Sequence, residues 1–200
     1  MPFEIFFATG NKNKFDEAKL YLERNIRGLI LKQLTGDFPE IQAGTLEEVA
    51  RFKILAATKQ CTGNIFMEDA GLFIPVLNGF PGVYSSQVKK MLDCKGILKL
   101  MEEYKSLDKR EAYFEACDCL FMPASNEFKT FSGRIDGTIA FEERGKNGFG
   151  FDPIFVANEP RGNKKTFAEM TNEDKIQISH RSRALQKLKD FIVQQRKLPA

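Results

Sequence analysis

The sequence predicts an α/β fold built on a mixed β-sheet flanked by helices. Strand-patterned and helix-patterned segments alternate through the first half of the chain, and a meander-like alternation of apolar and polar residues occupies part of the second half. Composition agrees. With 42% hydrophobic and 28% charged residues over 200 positions, the chain has the balance of one globular domain spanning residues 1–200. A chain of that length buries a core without disulfides or metal.

Charge and cysteine usage exclude several classes. Lys and Arg total 30 against 27 Asp and Glu, a formal net charge of +3. That excess is too mild for a dedicated nucleic-acid binder, although it leaves room for a local basic pocket. The four cysteines, Cys61, Cys94, Cys117 and Cys119, do not form a secreted disulfide pattern, and a single histidine argues against a zinc site. Cys117 and Cys119 would share one face of a strand, where a direct bridge is not expected. No apolar run reaches the ~18 residues of a membrane span. The start, Met1 to Phe7, carries Glu4 and no basic stretch of the signal-peptide type. The expectation is a cytoplasmic protein with neither membrane nor nucleic acid as partner.

Taken in order, Phe3 to Ala8 is a β-favouring run that stops at Gly10. After the polar turn Thr9 to Lys14, the spacing of Phe15, Ala18 and Leu22 predicts a helix over about 15–25. A strand over Leu29 to Leu34 and a loop through Pro39 and Glu40 follow. Thr45-Leu46-Glu47-Glu48 is a capping box, so the next helix begins there and ends before Gly63. Ile65-Phe66-Met67 reads as a buried strand closed by Glu68 and Asp69. A stretch broken by Pro75, Gly79, Pro81 and Gly82 leads to a helix expected over about 87–104. Strands are expected over 112–122, 127–132 and 137–142. The glycine-rich segment 145–150 comes next, and a helix over about 179–194, with Ala184, Leu185, Leu188 and Ile192 as its apolar stripe, closes the chain.

Four places carry residues suited to chemistry. Thr9-Gly10-Asn11-Lys12-Asn13-Lys14 joins a strand to a helix, where backbone N–H groups and the positive helix end form an anion site. Lys12 and Lys14 oppose that helix end by about 0.3–1 kcal/mol each, a penalty a bound anion would reverse. On its own the segment reads equally as a solvated turn. Glu68 and Asp69, adjacent in a strand, must point to opposite faces, so only one faces a given site. Glu40 is a candidate second oxygen ligand for a hard cation such as Mg²⁺. An exposed Glu40 and a turn-capping Asp69 are the plain alternative.

The segment Gly148-Phe149-Gly150-Phe151-Asp152 places two rings two residues apart, on one side of the chain if the backbone is extended. Phe149, flanked by glycines, is open to a flat partner, and Asp152 is a nearby acceptor. The alternative is a tight hairpin whose phenylalanines plug the core. Ser179-His180-Arg181-Ser182-Arg183 is a second cationic helix start, with Lys175 just before it. Its charges are expected to hold the His180 pKa down. Two basic helix starts, separated carboxylates and an aromatic glycine loop are together the parts for a Mg²⁺-bound nucleotide.

Six short motifs occur in order: Ala8 to Lys14, Pro39 to Gln42, Glu68 to Leu72, Asn78 to Ser85, Gly148 to Pro153 and Ser179 to Arg181. In this the chain resembles the inosine triphosphate pyrophosphatase family, from about Ile5 to Phe191. The resemblance implies an elongated two-lobed subunit around a central cleft, a homodimer, and Mg²⁺-dependent hydrolysis of inosine, deoxyinosine or xanthosine triphosphate to monophosphate and pyrophosphate. Carried over by motif, Thr9, Gly10, Asn11, Lys12, Asn13 and Lys14 hold the triphosphate with Lys53 and Lys175. Glu40 and Asp69 are the metal positions, and Asp69 accepts the proton of the attacking water. Phe149, Gly150, Phe151, Asp152, His180 and Arg181 correspond to the base pocket.

Two departures stand out. Ala70 sits where many members have Ser or Thr, and Phe151 replaces a commoner Tyr or Trp. A non-catalytic purine nucleotide-binding module is the rival reading, and an RNA-binding protein a weaker third.

Overall fold

The structure, a computed structural model, describes residues 3–39, 41–159 and 164–196. Among them lie six strands: β1 (Phe3–Ala8), β2 (Leu29–Leu34), β3 (Ile65–Phe73), β4 (Glu111–Met122), β5 (Glu127–Ile139) and β6 (Phe155–Ala157). The helices are α1 (Lys12–Asn25), α2 (Leu46–Ala57), α3 (Ser85–Met91), α4 (Asp93–Leu100), α5 (Asn172–Ile176) and α6 (His180–Gln195). One sheet runs in the order β2-β1-β3-β4-β5-β6. β1 pairs in parallel with β2 and β3, while β5 and β6 are antiparallel, so the sheet is mixed. No helix among the described residues is long and apolar enough to cross a membrane.

The chain divides into two compact units. Unit 1 comprises Met1–Asp69, Ala116–Gly133 and Arg181–Ala200; unit 2 comprises Ala70–Glu115 and Arg134–His180. In unit 1 strand alternation decides which side chains meet which helices. Ile5, Phe7, Leu29, Leu31, Phe66 and Leu120 pack with Ala18 and Leu22 of α1 and Leu185, Leu188 and Ile192 of α6. Ala8, Ile65, Met67 and Cys119 face the other way, toward Ala50, Ile54 and Ala57 of α2. The register Phe7↔Phe66 brings two rings into a stack 4.4 Å apart. The capping box at α2 forms as expected, with Thr45 Oγ1 accepting from Glu48 N–H at 3.2 Å and Glu48 accepting from Thr45 N–H at 3.0 Å.

Unit 2 has its own core, from Leu72 and Ile74 through Ile97, Phe114, Ile135 and Phe155 to Ile178. Arg110 is buried within it. Its guanidinium donates to the carbonyls of Ile139, Met101, Tyr104 and Ala140 at 2.7–3.0 Å. Burial alone lowers its pKa.

Four expectations are corrected. α1 begins at Lys12, because Asn11 caps it by accepting Lys14 N–H at 3.2 Å; Lys12, Asn13 and Lys14 are therefore its first turn. The helix expected over 87–104 is two helices, broken where Asp93 takes a left-handed φ of 58° and accepts Cys94 N–H. Apolar periodicity continues across that break and so conceals it. Strands expected at 127–132 and 137–142 are one strand, β5, and the third member of the meander is β6. A Cβ on Gly137 would strike the Val156 carbonyl and the Phe155 ring, so glycine is what allows β6 to approach. β3 does not end at Asp69 but continues to Phe73, which places both carboxylates inside a strand.

Candidate functional site

The β1–α1 junction presents the first group of candidate residues. Thr9 is held at the strand end: its N–H donates to Leu34 O, its carbonyl accepts from Gln33 Nε2, and its Oγ1 accepts Asn11 N–H. Gly10, Asn11, Lys12 and Asn13 are exposed, and no acidic residue lies in the first turn of α1. Lys12 pairs with Asp16 at 2.6 Å out in solvent, where such a pair contributes little.

Neighbouring Glu68 and Asp69 then diverge, as alternation requires. Asp69 shares the face of Met67, toward α2, and there Lys53 Nζ donates to Asp69 Oδ1 at 3.4 Å. Glu68 shares the face of Phe66, toward α1 and α6. Arg181 Nε and Nη2 donate to Glu68 Oε2 and Oε1 at 2.6 and 2.9 Å, a bidentate clamp, while Arg181 Nη1 donates to Glu17 Oε2 at 2.5 Å. Lys14 Nζ lies 3.3 Å from Glu68 Oε1. The two carboxylates raise the Arg181 pKa against the opposing effect of burial.

One acidic group of unit 1 was not foreseen. Asp118 of β4 is completely buried, and neither carboxyl oxygen has a hydrogen-bond partner among the described residues. Burial and the charge of Glu68 push its pKa well above the usual carboxylate range, against the pull of Arg181 and Lys14. The signal was in the sequence: a charged residue between Cys117 and Cys119 within an apolar run. A carboxyl whose folded pKa is raised binds more protons folded than unfolded. It therefore weakens the fold as pH climbs from the ordinary carboxylate range toward its folded pKa. The thermal midpoint of Asp118→Asn should accordingly gain on that of the wild type between pH 5 and pH 8; a constant difference across that range would contradict the raised pKa.

Unit 2 holds the aromatic candidates. Gly148 and Gly150 take φ of 72° and 64°, so the segment is a tight turn and not extended. The rings of Phe149 and Phe151 therefore part. Phe151 is buried in the core, while Phe149 stays half-buried with Lys175 Nζ 4.7 Å from its ring centre. Asp152, itself buried, accepts Phe149 N–H at 2.8 Å and pairs with Lys175 at 2.6 Å. A Cβ on Gly148 would collide with Asp152 Oδ2, so glycine is needed for that closure. Lys175, which the resemblance gives to the phosphates, is thus seated with Asp152 and Phe149. His180 is buried and stacks on Phe114 at 4.7 Å, nearly parallel.

Ala70 is partly buried and followed by Gly71, whose missing Cβ leaves room for the Gly82 carbonyl. Ser85 Oγ donates to that carbonyl at 2.7 Å and accepts Leu72 N–H at 2.8 Å. The Asn78–Ser85 motif is thus a brace for β3 just beyond Asp69. Glu40 lies outside the described residues. None of the four cysteines is bridged.

Comparison with known proteins places the chain in a family. A family model described as the Ham1 family matches residues 5–191. A dITP/XTP pyrophosphatase of Thermococcus kodakarensis is 44% identical over 94% of this chain and 96% of its own length. One of Pyrococcus horikoshii is 43% identical over 91% and 92%. The structure of a HAM1 protein from Coxiella burnetii superposes with a TM-score of 0.78 at 30% identity, covering 96% of this chain and 99% of that one. Matched by the family model over residues 5–191, the chain belongs to the Ham1 family.

Proposed function

We propose that the protein hydrolyses inosine, deoxyinosine and xanthosine triphosphates to the corresponding monophosphate and pyrophosphate, removing them from the nucleotide pool of the cytoplasm. The observation that carries this reading is the pairing of Asp69 with Lys53 on one face of unit 1, in a chain whose first helix opens on Thr9 to Lys14 without an acidic residue. A proton acceptor and cations that neutralise a departing pyrophosphate are the two requirements of the reaction.

In the reaction, water attacks the α-phosphorus, Asp69 takes its proton, and the bond from the α-phosphorus to the bridging oxygen breaks. Lys12, Lys14 and Lys53 then face the charge that develops on pyrophosphate. Asp69 offers the hard oxygen donor that Mg²⁺ prefers, and Glu40 is assigned with it. Among the described residues no three His, Cys, Asp or Glu gather as a metal cage. Mg²⁺ is usually held by one or two carboxylates, with water and substrate phosphate as its other ligands. When bound, Mg²⁺ supplies polarisation of phosphate oxygens and a more acidic water.

Phe149, with Asp152, Gly150 and Phe151 fixing its turn, offers a ring to the base. A donor from His180 or Arg181 to the 6-oxo group of hypoxanthine or xanthine would meet the amino group of adenine instead. Leaving buried polar groups unpaired in this way rejects an analogue by factors of about 10⁴. Exposed apolar side chains of unit 2, Met91, Leu92 and Tyr84, support a homodimer. Light scattering should then give twice the 22.8 kDa chain mass, and the single-chain mass would remove that assignment.

The function is tested by assaying inosine, xanthosine, guanosine and adenosine triphosphates side by side with Mg²⁺. Turnover of the first two, at least about 10²-fold above adenosine triphosphate in kcat/KM, is expected. Calorimetric binding of inosine triphosphate with no product after long incubation would mark a binding module instead.

A further inference from the structure

Lys14 is required twice in the account above: it lies against Glu68, and the proposed reaction needs it at a phosphate. Its side chain is 19% exposed and that of Glu68 is fully buried, so turning Lys14 outward removes a positive charge from a buried acidic group. Around that group stand Lys14 and Glu17 from α1, Glu68 from β3, Asp118 from β4 and Arg181 from α6. Cys117 and Cys119, beside Asp118 in the strand, point to the opposite face.

We propose that Asp118 is a positioning residue that sets how tightly Glu68 holds Lys14, and so how readily Lys14 turns to a substrate phosphate. This rests on the function proposed above.

With Asp118 in its acid form, Lys14 and Arg181 balance Glu17 and Glu68. Releasing Lys14 then leaves Arg181 alone against the two carboxylates, one negative charge in excess among these groups. With Asp118 ionised, the same release would leave two uncompensated negative charges in a buried place, so Lys14 is retained. Among the described residues Asp118 has no hydrogen-bond partner, which is the condition that favours its acid form, and burial beside Glu68 acts in the same direction. Asp118 never touches substrate in this scheme. It acts through Glu68 and Lys14.

The test is KM for inosine triphosphate and, separately, the calorimetric Kd of tripolyphosphate, both from pH 6 to pH 9.5. For the wild type, both constants should rise at least about threefold toward the alkaline end, as Asp118 ionises, while kcat does not follow them. Asp118→Asn, neutral throughout, should match the wild type within about twofold at pH 6 and lack the alkaline rise. Asp118→Leu, apolar and of similar length, should lack it too. Profiles of wild type and variants that coincide across the range overturn the proposal, as does an alkaline rise retained in either variant. Tripolyphosphate binding needs no turnover. A chain that binds it with the expected pH difference yet leaves inosine triphosphate intact would sink the activity and keep the role of Asp118.

Discussion

Asp69→Asn lowers kcat for inosine triphosphate by about 10²–10⁴-fold, the range lost when a positioned proton acceptor is removed. The amide is nearly the same size and keeps the strand geometry, but it cannot take the proton of the attacking water. Lys53, 3.4 Å from the Asp69 carboxylate, loses an anionic neighbour in the variant and is more available to phosphate. KM should therefore hold or fall while kcat collapses. Initial rates of pyrophosphate release give kcat and KM, and calorimetry with uncleaved nucleotide gives the Kd, which should likewise hold or fall. A kcat within threefold of the wild type would remove Asp69 from the mechanism.

Arg181→Met has the largest expected effect on stability. It leaves the carboxylates of Glu17 and Glu68 buried without the guanidinium that bonds both. Breaking a buried pair from one side costs about 3–5 kcal/mol. For a chain of this size each kcal/mol moves the thermal midpoint by about 2–4 °C, so a fall of some 6–20 °C should be read by calorimetry or circular dichroism. Adding Glu17→Gln and Glu68→Gln to the same chain removes the stranded charges and should restore a large part of the loss. A midpoint within 2 °C of the wild type in the single variant would show that the cluster contributes no such stabilisation.

Those two residues also mark what was legible in the sequence. That Glu68 and Asp69 must face opposite ways follows from strand alternation, and the structure sends one to Arg181 and the other to Lys53. Local chemistry was equally readable at Thr45, whose capping box needs only its neighbours, and along α6, where Leu185, Leu188 and Ile192 recur at helical spacing. Pairings across long stretches of chain were not readable. Nothing local announces that Glu17 will meet Arg181, 164 residues away. Backbone exceptions hid as well. Asp93 breaks a helix whose apolar stripe continues past it. At Gly148 and Gly150 the chain takes the tight-turn alternative that the sequence left open. Asp118 is a different case, since its charge within an apolar strand was visible from the start.

Hydrolysis in ¹⁸O-labelled water tests the central claim most directly, because the label records which phosphorus the water attacked. Inosine triphosphate and Mg²⁺ with the wild-type protein should yield equal amounts of inosine monophosphate and pyrophosphate, with the label in the monophosphate alone. Label in the pyrophosphate, or orthophosphate released together with inosine diphosphate, would contradict attack at the α-phosphorus and with it the roles given to Asp69 and the lysines.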